Sequence, residues 1–161
     1  MSDDLTRIQD QLTRVERDAK KLPWAKERPW TCESHVWWEG ELPVVDLHDL
    51  GVSLGRKTVR QVARVAGKLE SGAVCIVTGV GNNSNGPSKM RAATQSVLKE
   101  LVEKNADWWF RPLGPGRYVL ITDETKAPNA ATGKLGTVFW VCVVSFLILL
   151  VTMFVLNLMG L

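Results

Sequence analysis

The sequence predicts a two-layer α/β domain with a helix and an arm at its N-terminal side and one transmembrane helix at its C-terminal end. Three observations predict it. Two short apolar runs, PVVDLH (43–48) and GAVCIVT (72–78), are each followed by a segment of helical period. Two more, DWWFR and RYVLIT, are joined through LGPG, and residues 137–160 pass without a charge. The resulting order is β-α-β-α-β-β, in which a helical crossover makes the first two strands parallel.

The elements follow in order. Residues 1–22 set Leu5, Ile8, Leu12, Val15, Ala19 and Leu22 at alternating spacings of three and four, one apolar stripe on an amphipathic helix. Residues 23–42 contain two prolines and four of the seven tryptophans, with no clear period. They are expected to form an extended arm clamped to the domain by its rings. Residues 43–124 are the expected core. Pro43 opens the first strand. Ser53 is expected to cap a helix whose inward residues are Val59, Val62, Val65, Ala66 and Leu69. A second helix over 89–104 turns Met90, Val97, Leu98, Leu101 and Val102 inward. Residues 125–136, TKAPNAATGKLG, have the composition of a polar linker.

The run TVFWVCVVSFLILLVTMFVLNLMG, residues 137–160, is 24 residues long. A bilayer core about 30 Å thick needs about 20 helical residues, so the run is long enough to span. Trp140 falls where an aromatic ring rests at the headgroup level. Every Lys and Arg precedes Leu135, which orients the N-terminal part toward the cytosol, a matrix or a stroma. The opening MSDDLTRIQDQ is polar and has no apolar signal core, so the expected arrangement is a tail anchor. One span makes no transport path, and the remaining residues must carry the activity.

Net charge is +3, compatible with an anionic partner but too small to identify one. Cys32, Cys75 and Cys142 are odd in number and scattered, with no CxxC pair, which supports neither a disulfide framework nor a zinc site.

In parallel α/β sheets ligands collect beyond the carboxyl ends of the strands, where helix N-termini also point. Asp46 and His48 stand two residues apart at the end of the first strand and share a face, with Leu47 turned away. The second strand ends in Thr78-Gly79-Val80-Gly81, followed by the open stretch NNSNGPS. A carboxylate, an imidazole and a glycine loop thus meet on one rim. Such a rim suits a phosphodiester: backbone N–H groups hold phosphate while His48 and Asp46 handle protons or a divalent metal. Arg56, Lys57, Arg60 and Arg64 on the first helix, with Lys89 and Arg91 on the second, are expected to line the approach. Neither standard nucleotide loop is present. Pro87 stands where a Walker loop needs lysine, and Ser84 replaces the last glycine of GxGxxG.

The combination DLH at 46–48, a helix, IVTGVGNNSNG at 76–86 and KMRAAT at 89–94 resembles the Smr (small MutS-related) domain. The resemblance extends through RPLGPGRYVLIT, covering residues 43–124, and is nearer the TGxG form at the ends of plant pentatricopeptide-repeat proteins than the bacterial HGxG form. It implies a nucleic-acid-binding fold, endonuclease activity on RNA or on nicked or branched DNA, an acid–base or metal role for Asp46 and His48, and a phosphate loop shaped by Gly79 and Gly81. Thr78 stands where the bacterial form has histidine, and Asn83 where many relatives carry a second one. Two functions are therefore expected. One is a membrane-tethered RNA- or DNA-binding protein or nuclease. The other is a non-catalytic accessory subunit of a membrane complex, meeting protein partners through the N-terminal helix, the tryptophan-rich arm and the span.

The expected topology is testable at Asn82-Asn83-Ser84, a glycosylation acceptor by pattern. Mass spectrometry of the protein from its native membrane should find Asn82 unmodified; a glycan there would reverse the orientation.

Overall fold

A computed structural model describes residues 2–79, 88–132 and the pair 145–146. Among the described residues it is an α/β structure, a mixed five-stranded sheet with five helices. Helix α1 spans Ser2–Ala19 and the single turn α2 spans Cys32–His35. Strands β1 (Val36–Glu39) and β2 (Leu42–Asp46) form a hairpin through a turn containing Gly40, whose φ of +61° favours glycine. Helix α3 (Val52–Ala66) leads to β3 (Ala73–Val77), and α4 (Lys89–Lys104) leads to β4 (Trp109–Gly114). Strand β5 (Arg117–Ile121) and the short α5 (Asn129–Thr132) complete the order. The strands lie as β1-β2-β3-β5-β4. Strands β2 and β3 are parallel, in register from Val44 opposite Cys75 to Asp46 opposite Val77, and every other pair is antiparallel.

Period-two alternation divides the sheet into two apolar faces. Val45, Val74, Ile76, Tyr118 and Leu120 meet the helix layer, where Val59, Val62, Ala63 and Ala66 of α3 and Val97 and Leu98 of α4 are buried. Ile8, Leu12, Val15 and Ala19 of α1 belong to that same core. Helix α1 is also fixed by a buried charge. The Asp4 carboxylate accepts the backbone N–H groups of Glu70 and Ser71, both at 2.9 Å, in the loop before β3. The N-terminal helix is therefore one wall of the domain.

Four expectations need correction. The second half of the segment expected to be an extended arm is the edge strand β1. Val36 points into the helix-side core and Trp37 to the opposite face, an alternation too short to stand out among four tryptophans. Pro43 therefore follows the first residue of β2, an internal strand, opposite Trp38 of β1, and pairing with β3 starts only at Val44. Ser53 does not cap α3. The cap lies two residues earlier, at Gly51, with no side-chain cap bond.

The expected linker, finally, is folded over part of its length. Asp123 accepts from the Thr125 N–H and hydroxyl, α5 buries Ala131, and Arg111 donates to the carbonyls of Ala130 and Ala131 at 2.7 and 2.5 Å. Ala127 and Ala131 pack with Val44, Ala73, Cys75, Val119 and Ile121, so this segment seals the second face of the sheet. The apolar run 137–160 lies outside the described residues, apart from Ser145 and Phe146. No helix among the described residues is long and apolar enough to cross a membrane.

Because Leu12 of α1 is fully buried in the helix-side core, Leu12→Ala should cost about 2–5 kcal/mol of unfolding free energy. Chemical denaturation of the full chain in mild detergent measures this. A loss below about 0.5 kcal/mol, typical of a surface site, would show α1 to be an appendage.

Candidate acid–base site at the strand rim

Strand β2 ends at Asp46, and the chain must enter α3 by residue 52. In that short turn Leu47 is buried in the helix-side core, while Asp46 and His48 bond to each other. One carboxylate oxygen, Oδ1, takes both the His48 backbone N–H at 2.9 Å and the imidazole Nδ1 at 2.5 Å. A carboxylate can only accept, so Nδ1 is the donor, and Nε2 has no hydrogen-bond partner among the described residues. The carboxylate is mostly covered, at 17% exposure, and the imidazole is half exposed, at 51%. A carboxylate behind a histidine whose second nitrogen lies against Gly79 can accept or deliver one proton.

The imidazole leans on Gly79, the last described residue before the glycine loop. A Cβ added to Gly79 would overlap His48 Nε2, and its φ of +73° is itself a conformation suited to glycine. Thr78, beside it, does not belong to the rim surface. It is buried, and both its N–H (2.7 Å) and its hydroxyl (3.0 Å) bond the Gly116 carbonyl in the β4–β5 turn. Gly81 lies outside the described residues.

The basic residues are distributed differently from the expectation. Arg60 bonds Glu100 of α4 at 2.9 Å, with Arg56 beside it at 3.9 Å, and the Glu100 carboxyl is held below its usual range chiefly by Arg60. Lys57 turns to Asp18 of α1 at 2.5 Å. These cations therefore lie along the helix layer. Lys89 is exposed in the first turn of α4, and the Arg91 N–H is bound by Ser88, the cap of that helix. Both helices start on the rim side, α4 with a side-chain cap and α3 without one.

Two contributors went unnoticed in the sequence. The indole N–H of Trp30 donates to the Asp46 carbonyl, and that of Trp24 donates to the Asp49 carbonyl, each at 2.8 Å. These bonds bracket His48, and Asp49 has a φ of +63°, a strained turn for a residue other than glycine. Trp30 is buried and stacks at 5.4 Å on His35, whose role is structural: its ring sits among Thr31, Ser34 and Trp30. The repeated Pro-Trp pair, at 23–24 and 29–30, was the available signal.

Other chemistry finds little support here. Burial, followed by its Glu16 hydrogen bond, pushes the Cys32 thiol up to about 12, and burial raises Cys75 as well, so neither is a ready thiolate. Among the described residues no group of three His, Cys, Asp or Glu side chains could hold a metal. No protein-family model, curated protein or solved structure matches the chain.

The His48–Gly79 contact can be measured by a double-mutant cycle. Gly79→Ala should destabilise by about 1–3 kcal/mol, from backbone strain and overlap with the ring. In a His48→Ala background the loss should shrink by about 0.5 kcal/mol or more. Strict additivity would mean that the ring does not rest on Gly79.

Proposed function

We propose that this chain binds RNA at the rim bearing Asp46, His48 and Gly79, and that the Asp46–His48 pair supplies proton transfer for phosphodiester cleavage. The observation that carries the reading is the hydrogen bond from His48 Nδ1 to Asp46, which orients the ring and leaves Nε2 beside Gly79. His48 would act as base toward an attacking hydroxyl or as acid toward the leaving oxygen, and Asp46 would hold the ring and stabilise its charged form. The uncapped first turn of α3 offers backbone N–H groups to a phosphate. The resemblance of DLH and TGVG to Smr motifs supports the same reading. The apolar run 137–160 would hold the domain at a membrane.

A second reading, an accessory subunit of a membrane complex, is favoured by one observation. Arg56, Arg60 and Lys57 face Glu100 and Asp18, which offsets part of the positive charge on the helix face expected to attract a polyanion.

The two readings separate in an RNA titration of the detergent-solubilised full chain at two salt concentrations. RNA binding through phosphates should weaken with salt, at a logarithmic slope of about −0.7 per contact for single strands. Asp46→Asn or His48→Ala should slow cleavage about 100-fold or more while affinity changes little. No binding at low salt, together with a stable complex recovered from the native membrane, would leave the accessory role.

A further inference from the structure

We propose that the turn from Trp24 to Arg28 grips a single strand beside the Asp46–His48 pair, with Trp24 stacking on an unpaired base and Lys26 and Arg28 meeting its phosphates. The inference rests on the RNA-binding reading and specifies its substrate as a strand with unpaired bases.

Trp24 is the most exposed tryptophan among the described residues, at 39%, and it is pinned rather than loose. Its indole N–H is spent on the Asp49 carbonyl, one residue beyond His48, and its benzo edge lies against Gly51, where an added Cβ would be 3.8 Å away. Gly51 is the N-cap of α3, and the next residue, Val52, is also exposed, at 38%. An aromatic ring fixed at its polar edge and open to solvent loses little conformational freedom on stacking, and any base offers it a π-face.

The backbone brings cations to the same place. The N–H groups of Glu27 and Arg28 bond back to the Trp24 carbonyl, closing a turn that sets Arg28 one helical turn from the ring. Lys26 and Arg28 are exposed and make no ion pair with any described residue, unlike Arg56, Lys57 and Arg60. This turn therefore adds two cations that no described carboxylate pairs to those of the α3 face. An unpaired base on Trp24 would place the neighbouring phosphate near His48 and the open start of α3. The interior of a duplex offers no base face there without unstacking.

The test uses the full chain in detergent, a labelled single-stranded RNA and a blunt duplex of the same sequence. Trp24→Ala should weaken single-strand binding about 5- to 100-fold, the loss of one stacked base, and leave duplex binding unchanged. Trp24→Phe keeps a ring but loses the bond to Asp49, and should stay within about threefold of wild type if stacking is what matters. Were Trp24 only a clasp for the Asp49 turn, the phenylalanine variant would fail as badly as the alanine one, and the proposal would fall. Lys26→Glu with Arg28→Glu, at exposed positions that do not endanger folding, should flatten the salt slope by about 1.4. If wild-type protein binds single strands and none of these variants weakens it, the turn is not the contact, though the RNA reading stands. If wild-type protein binds no RNA, both fall. In anionic vesicles made with brominated lipids, where Trp140 is expected to be quenched in any case, a share of the quenching that is lost in Trp24→Phe would make the turn a membrane contact and overturn the proposal.

Discussion

The site depends on satisfying two backbone carbonyls in the turn between β2 and α3. The chain leaves a parallel strand at Asp46, carries a carboxylate and an imidazole, and enters a helix at Val52. Such a turn escapes the sheet's hydrogen-bond ladder, and its carbonyls need partners from outside. Trp30 and Trp24 supply them to Asp46 and Asp49. The tryptophan-rich stretch thereby becomes part of the scaffold of the rim. It fixes the residues on either side of His48, and Asp46 then fixes His48 itself through its ring and backbone N–H.

The sheet imposes a second requirement, because both of its faces are apolar. Helices α3 and α4 cover one face and α1 extends that cover, with the buried Asp4 carboxylate satisfying the two N–H groups that precede β3. The other face is closed in part by the chain after β5, held by Arg111 across β4. Arg117 lies over Cys75 on that face and reaches Glu39 of the edge strand, which raises the guanidinium's affinity for its proton. The segments flanking residues 43–124 are therefore structural parts of the domain.

Charge pairing decides which cations remain for a polyanion. A repeat of Arg56, Arg60 and Arg64 looks like a binding stripe in one dimension. Glu100 is 40 residues from Arg60 in sequence, and Asp18 is 39 from Lys57, so their ion pairs form only after the helices pack. Each such exposed pair contributes little to stability. Its effect here is on what the surface offers, because a paired cation is less available to a phosphate.

Local pattern was enough for the β-α-β-α-β-β order within residues 43–124, the parallel β2–β3 pair, the inward faces of α3 and α4, and the pairing of Asp46 with His48 across Leu47. Each follows from a period of 2 or 3.6, or from a two-residue spacing, within a few residues of chain. Tertiary structure alone decided that α1 walls the core, that Val36–Glu39 joins the sheet, that residues 123–132 seal its second face, and that Thr78 turns its hydroxyl inward to Gly116. It also decided that Trp24 and Trp30 hold the turn carrying His48. These features rest on hydrogen bonds and contacts between residues far apart in the chain, and such partners have no periodic trace in sequence.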